Sequence, residues 1–294
     1  MQFLAIFTAV FLLCNQLGLK LNHNTGKGRI LAVAVCTGTA AAISLLVASL
    51  KGEWYRADML PYSVAYACIY FVCTLCCYKA YELGPVAGVA LFSSAGLVFT
   101  VLFGVFVYDE PFGWLSRTGV ACMLVALTCL SLPERIQNHE KQEKKPYHRL
   151  WILLGIFIMF ANSGGAILLK VRQTKAGGED AFAFISLCYV FICLISSLTY
   201  AIVGCKQKGI RQDFTDLKNH VGALTLQTAG NAGTNMLATY LSTRIDGAVL
   251  YPVQSGGGFV LTVLFGFCFF KERVTVWKII GLILGVGAIV LLNL

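Results

Sequence analysis

Residues 224–240 read LTLQTAGNAGTNMLATY, and they place Gln227, Asn231 and Asn235 at i, i+4 and i+8. On a helix these positions share one face, and Thr228 and Thr234 flank it. Each carboxamide offers an acceptor oxygen and two donor hydrogens. Such groups do not move protons at neutral pH; they recognise other polar groups. Their surroundings are apolar, so they either bond a neighbouring helix or face a cavity that holds water or a solute. Three amides on one face favour the cavity.

Other polar residues lie in comparable settings. Tyr62, Tyr66, Tyr70, Thr74 and Tyr78 recur every four residues. That stripe drifts about 40° per step against a 3.6-residue turn, so its centre is one face. Tyr66 and Tyr70 are placed to stack on a planar or cationic solute or to pack, whereas Tyr62 and Tyr78 are expected at the interfaces. FSSAG (92–96) and QSGGG (254–258) are small and polar, with Ser93, Ser94, Gln254 and Ser255 as candidate contacts. Asn15, Asn162 and Ser163 join them from two further apolar stretches. Glu110, Glu272 and Asp246 fall at the ends of such stretches, as expected of gating or structural charges.

These residues must be held by membrane helices. Of 294 residues 57% are hydrophobic and 13% charged, with mean hydropathy +0.74; a soluble chain carries about 25% charged residues. About 20 apolar residues span a bilayer core, and ten segments qualify: 2–21, 30–50, 60–81, 85–108, 113–132, 150–170, 181–204, 220–242, 247–270 and 275–293. The first lacks a basic leader and a small-residue cleavage site, so a retained helix is expected.

The net charge of +9 is not a nucleic-acid signature, because Lys and Arg gather in the connectors rather than on a basic face. Counted by nearest connector, 16 of the 23 lie on odd-numbered connectors and 7 on even ones. The positive-inside rule then puts 133–149, the one long charged stretch, in the cytoplasm and both termini outside. The twelve cysteines lie almost wholly in apolar spans. Cys73, Cys76 and Cys77 lack a second ligand pair, so they read as packing residues, and neither metal nor other cofactor is expected. The four histidines sit in connectors or at a span edge. Without an H-E-x-x-H or G-x-S-x-G motif, an enzyme is not expected.

The two halves echo each other. TVLFG occurs at 100–104 and again at 262–266. At that offset of 162, Tyr78 meets Tyr240, Ser93 meets Ser255, Gly96 meets Gly258, Glu110 meets Glu272 and Gly119 meets Gly281. Without a gap from Leu75/Leu237 to Leu132/Leu294, about a quarter of the pairs are identical, the mark of an internal repeat. Asn15 with Lys20 and Asn162 with Lys170 correspond more loosely. Five spans per copy is an odd number, so the second copy enters the membrane from the opposite side. Inverted repeats of this kind build transporters, with the site near the midplane between the halves. The expected protein is an all-α polytopic membrane protein of ten transmembrane helices: repeat 1–132, linker 133–149 and repeat 150–294. The halves differ at Phe92 against Gln254 and Ile69 against Asn231, where selectivity would be written.

The segments VLFGVFVYDEPFGWLSRTG, ending at Gly119, and VLFGFCFFKERVTVWKIIG, ending at Gly281, each give a span ending in Glu and a glycine nine residues on. With the ten spans, they resemble the drug/metabolite transporter superfamily in its ten-helix EamA-like branch. The resemblance implies a central cavity lined mainly by spans 1, 3, 4, 6, 8 and 9. It also implies cytoplasmic termini, against the charge count. Small multidrug-resistance relatives carry a Glu in their first span; here Asn15 and Gln16 stand instead, which tells against proton/drug antiport by that carboxylate.

The expected function is secondary transport of a small polar or zwitterionic metabolite, such as an amino acid, in the plasma membrane. The partners are the solute, the bilayer and, through the G-x-x-x-G of Gly281 and Gly285, either the protein's own helices or a second copy in a homodimer. The alternatives are a flippase for a lipid-linked sugar, with Lys170, Arg172 and Lys175 as phosphate candidates, and, more remotely, a membrane enzyme.

Overall fold

The computed structural model describes residues 2–22, 27–108, 113–137, 148–176, 180–205, 215, 217–242, 252–269 and 276–292. Among them all regular structure is helical: α1 Gln2–Leu21, α2 Lys27–Lys51, α3 Met59–Leu83, α4 Val86–Tyr108, α5 Trp114–Gln137, α6 His148–Ala176, α7 Ala181–Cys205 and α8 Val221–Ser242. A π-helical turn, Pro252–Gly257, runs into α9 Gly258–Phe269, and α10 is Val276–Leu292. Five stretches are long and apolar enough to cross a membrane: Gly28–Lys51, Met59–Leu83, Gly88–Val107, Arg149–Leu169 and Ala181–Val203. Ile6–Leu21, Arg117–Ala126, Gly258–Phe269 and Ile279–Leu291 are apolar but shorter.

Local sequence accounts for these helices. Hydrocarbon offers no hydrogen-bond partners, so the backbone must satisfy itself, and the small hydroxyls follow suit. Thr37, Ser44, Ser63 and Ser196 each donate to a carbonyl one turn back. Helix ends carry the usual stops. Gly52, at φ 69°, takes the left-handed turn after α2. Gly84 closes α3 by donating to the Ala80 carbonyl at 3.0 Å, and Pro85 then bars continuation.

The outer faces are apolar. Leu46, Phe106, Leu153, Leu198 and Ile283 are all at least 60% exposed, as a lipid-facing surface requires. Polar side chains such as Gln16, Gln227 and Asn231 are buried instead.

The main packing partners are α1 with α8, α3 with α6, α2 with α7, α5 with α10, and α4 with both α6 and α9. Glycines set the closest approaches. A Cβ on Gly96 of α4 would stand 2.8 Å from the Met159 carbonyl oxygen of α6. One on Gly258 of α9 would stand 2.5 Å from Leu12 Cδ2 of α1. Gly285 of α10 is packed within the chain, against Phe259 and Leu91.

Candidate functional site

A cavity of about 330 Å³ opens among α1, α3, α4, α6, α8 and the π-helical turn. That size suits a small solute. Of the residues singled out from the sequence, Asn15, Tyr66, Tyr70, Ser93, Ser94, Asn162, Asn231, Asn235 and Gln254 line it. Gln227 and Ser163 are not among the lining residues. Gln227 is buried and accepts a hydrogen bond from Tyr78 Oη at 2.6 Å. Ser163 is buried with its hydroxyl 3.5 Å from that of Thr100. The side chain of Ser255, and Glu110, Asp246 and Glu272, lie outside the described residues.

The wall of α8 is pre-ordered. Asn235 Nδ2 donates to Asn231 Oδ1 at 3.0 Å and to the hydroxyl of Tyr189 at 2.8 Å, and Tyr189 donates on to the Asn231 carbonyl at 3.3 Å. Facing residues continue the polar lining. Tyr66 and Tyr70 stack with ring centroids 6.0 Å apart. Cys73 Sγ approaches Asn162 Oδ1 at 3.7 Å. Ile69 and Asn231, 162 positions apart in the sequence, both line the cavity, one apolar and the other polar.

Among the described residues, two amide oxygens are buried without a hydrogen-bond partner: Asn15 Oδ1 and Gln254 Oε1. Both residues line the cavity. A buried unpaired acceptor costs about 1–3 kcal/mol, a cost that a bound donor would relieve. Gln254 sits in the π-helical turn, a distortion frequent at functional sites.

Sequence reasoning missed Thr74, Tyr81 and Thr100 as lining residues, and took Gln16 only as the absence of a carboxylate. Tyr81 Oη donates to Gln16 Oε1. The adjacency of Gln16 to Asn15 and the repetition of Thr100 in TVLFG were the available signals. Tyr78 packs inside the protein. It is 2% exposed, and Asn22 and Gln227 give its hydroxyl partners inside the protein, at 3.1 and 2.6 Å.

Beyond the apolar stretch 149–169, α6 carries Arg172, which is 4% exposed. Its guanidinium lies 4.8 Å from the Phe184 ring centre. Burial lowers its pKa, and the charges of Asp58 and Asp180 raise it.

Comparison with known proteins agrees with this membrane architecture. Residues 212–284 match the family model of the Small Multidrug Resistance protein. The uncharacterized membrane protein YvaE of Bacillus subtilis (strain 168) is 34% identical over 106 residues, covering 36% of this chain and 84% of the relative. A solved crystal structure of a protein shares the fold, with TM-score 0.59 and 17% identity over 98% of this chain and 94% of that one. The chain belongs to the small-multidrug-resistance/drug-metabolite type of membrane transporter. It is a multi-pass protein of the plasma membrane.

Proposed function

We propose that the protein is a secondary transporter that moves a small polar or zwitterionic solute, of the amino acid class, by alternating access. The carrying observation is the cavity itself: amides from both halves of the chain (Asn15, Asn162, Asn231, Asn235 and Gln254) converge on one chamber inside a membrane protein. Neutral amides and tyrosines discriminate by hydrogen bonding, which matches a polar solute better than a bare ion. The match to a transporter family argues for transport over enzymatic chemistry.

The working unit in this reading is a pair of inverted five-helix repeats, 1–132 and 150–294, joined by 133–149, with ten spans as in the EamA-like branch. Packing supports it. Exchanging α1–α5 for α6–α10 turns the α1/α8 contact into α6/α3 and the α4/α6 contact into α9/α1, and all four are present. Gly96 meets Met159 as Gly258 meets Leu12, and each pair is related by the offsets the sequence gives (162 for the glycines, 147 for Asn15 and Asn162). The curated relative, itself less than half the length of this chain, is the size of one repeat. Two halves able to exchange conformations would open the cavity to either side in turn.

The test is uptake by proteoliposomes loaded with a cell metabolite extract. Asn231→Leu and Asn235→Leu should each reduce transport of the moved solute at least tenfold. Unchanged transport in both variants would remove the cavity from the mechanism.

A further inference from the structure

Among the described residues, Arg172 is a buried charge without an ion pair. It is 4% exposed, yet Nε and Nη2 of its guanidinium are buried without a hydrogen-bond partner among the described residues. A charge taken out of water and left unpaired is strongly disfavoured. No ion pair offsets it among the described residues. Asp58 lies 3.5 Å from Arg56, and Asp180 Oδ1 accepts from the Trp54 amide at 3.4 Å.

Its place on α6 is specific. Asn162, Gly165, Ala166 and Leu169 line the cavity, and Arg172 continues that face one turn beyond Leu169. Side chains on a helix lean toward its N-terminus, so this one leans back toward Leu169. Arg172, Phe184 and Cys188 are not among the lining residues, but they adjoin two that are. Phe184, beneath it, packs in one cluster with Cys188, Tyr66 and Leu169, and Tyr66 and Leu169 line the cavity.

We propose that Arg172 is the anion anchor of the transport site and that the transported solute carries a carboxylate. A guanidinium presents parallel N–H donors that match the two oxygens of a carboxylate, and Arg holds its charge even when buried. A carboxylate would supply the missing acceptors and a countercharge in direct contact, where Asp58 and Asp180 act only from beyond ion-pair distance. The unpaired amide oxygens of Asn15 and Gln254 would take donor groups elsewhere on the solute. This rests on the reading of the cavity as the transport site and assigns the residue that holds the solute's carboxylate.

The test uses purified full-length protein in detergent and reads the melting midpoint against L-alanine, L-leucine, L-phenylalanine and their amides. At least one acid is expected to raise the midpoint saturably, with its amide at least tenfold weaker. Arg172→Gln should abolish the shift, and Arg172→Lys should retain part of it. Acid and amide binding equally, no acid binding, or a folded Arg172→Gln protein binding like wild type each overturns the anchor. The acid–amide comparison on wild type needs no variant, so misfolding of Arg172→Gln does not shield the idea. Asn231→Leu separates the two readings. Acid binding lost with Arg172→Gln but kept in Asn231→Leu upholds the anchor and contradicts the cavity assignment. Binding lost in Asn231→Leu but indifferent to the carboxylate does the opposite.

Discussion

Tyr78 Oη donates to Gln227 Oε1 at 2.6 Å and so ties α3 to α8. The bond is buried, and it turns one member of the amide stripe into structure. Tyr78→Phe deletes the donor while keeping the ring, leaving Gln227 Oε1 without its phenol. Single hydrogen bonds between membrane helices average about 0.6 kcal/mol, and leaving a buried partner unsatisfied adds to that. A loss of about 1 kcal/mol in detergent unfolding is expected, with the KM for the solute nearly unchanged. A rise in KM without loss of stability would place Tyr78 in the binding site instead.

Gly96 and Gly258, 162 residues apart in the sequence, face different atoms. Alanine at 96 would push a Cβ to 2.8 Å from the Met159 carbonyl oxygen, which is backbone and cannot rotate away. Alanine at 258 meets the tip of Leu12, which can turn. Overpacking of this kind costs about 1–3 kcal/mol. Gly96→Ala should therefore be the more destabilising change, by about 1 kcal/mol or more, in side-by-side thermal unfolding. The reverse order would contradict the packing described for α4 against α6.

Cys73 and Cys77 line the cavity one turn apart on α3, whereas Cys129 is buried in α5 away from it. A charged methanethiosulfonate reagent travels through water and not lipid. Mass spectrometry of labelled membranes should find Cys73 or Cys77 modified well before Cys129. Labelling of Cys129 first would mean that the cavity is not the aqueous compartment.

Periodicity made much of this legible. Apolar stretches gave the helices, and the echo around TVLFG gave the correspondence of Gly96 with Gly258 before any contact was known. What periodicity does not carry is the partner across a helix interface. Gln227, Asn231 and Asn235 look alike along α8, yet only the last two line the cavity, because Tyr78 meets the first. Tyr78 itself read as an interface aromatic for the same reason. Gln254 stood out by type, but its presentation depends on a π-helical turn that no sequence period marks. Arg172 read as one of three phosphate candidates for a flippase; its place over the Phe184 ring of α7 is not marked in the pattern that α6 alone displays.

Cavity-based transport is tested most directly by comparing metabolites retained in proteoliposomes that hold wild-type protein, the Asn231→Leu/Asn235→Leu double variant or no protein. The account predicts that one or a few small polar solutes are exchanged by wild type, and that the folded double variant matches empty vesicles. A wild-type protein that moves no solute, or a double variant that moves the same solute at the same rate, would contradict it.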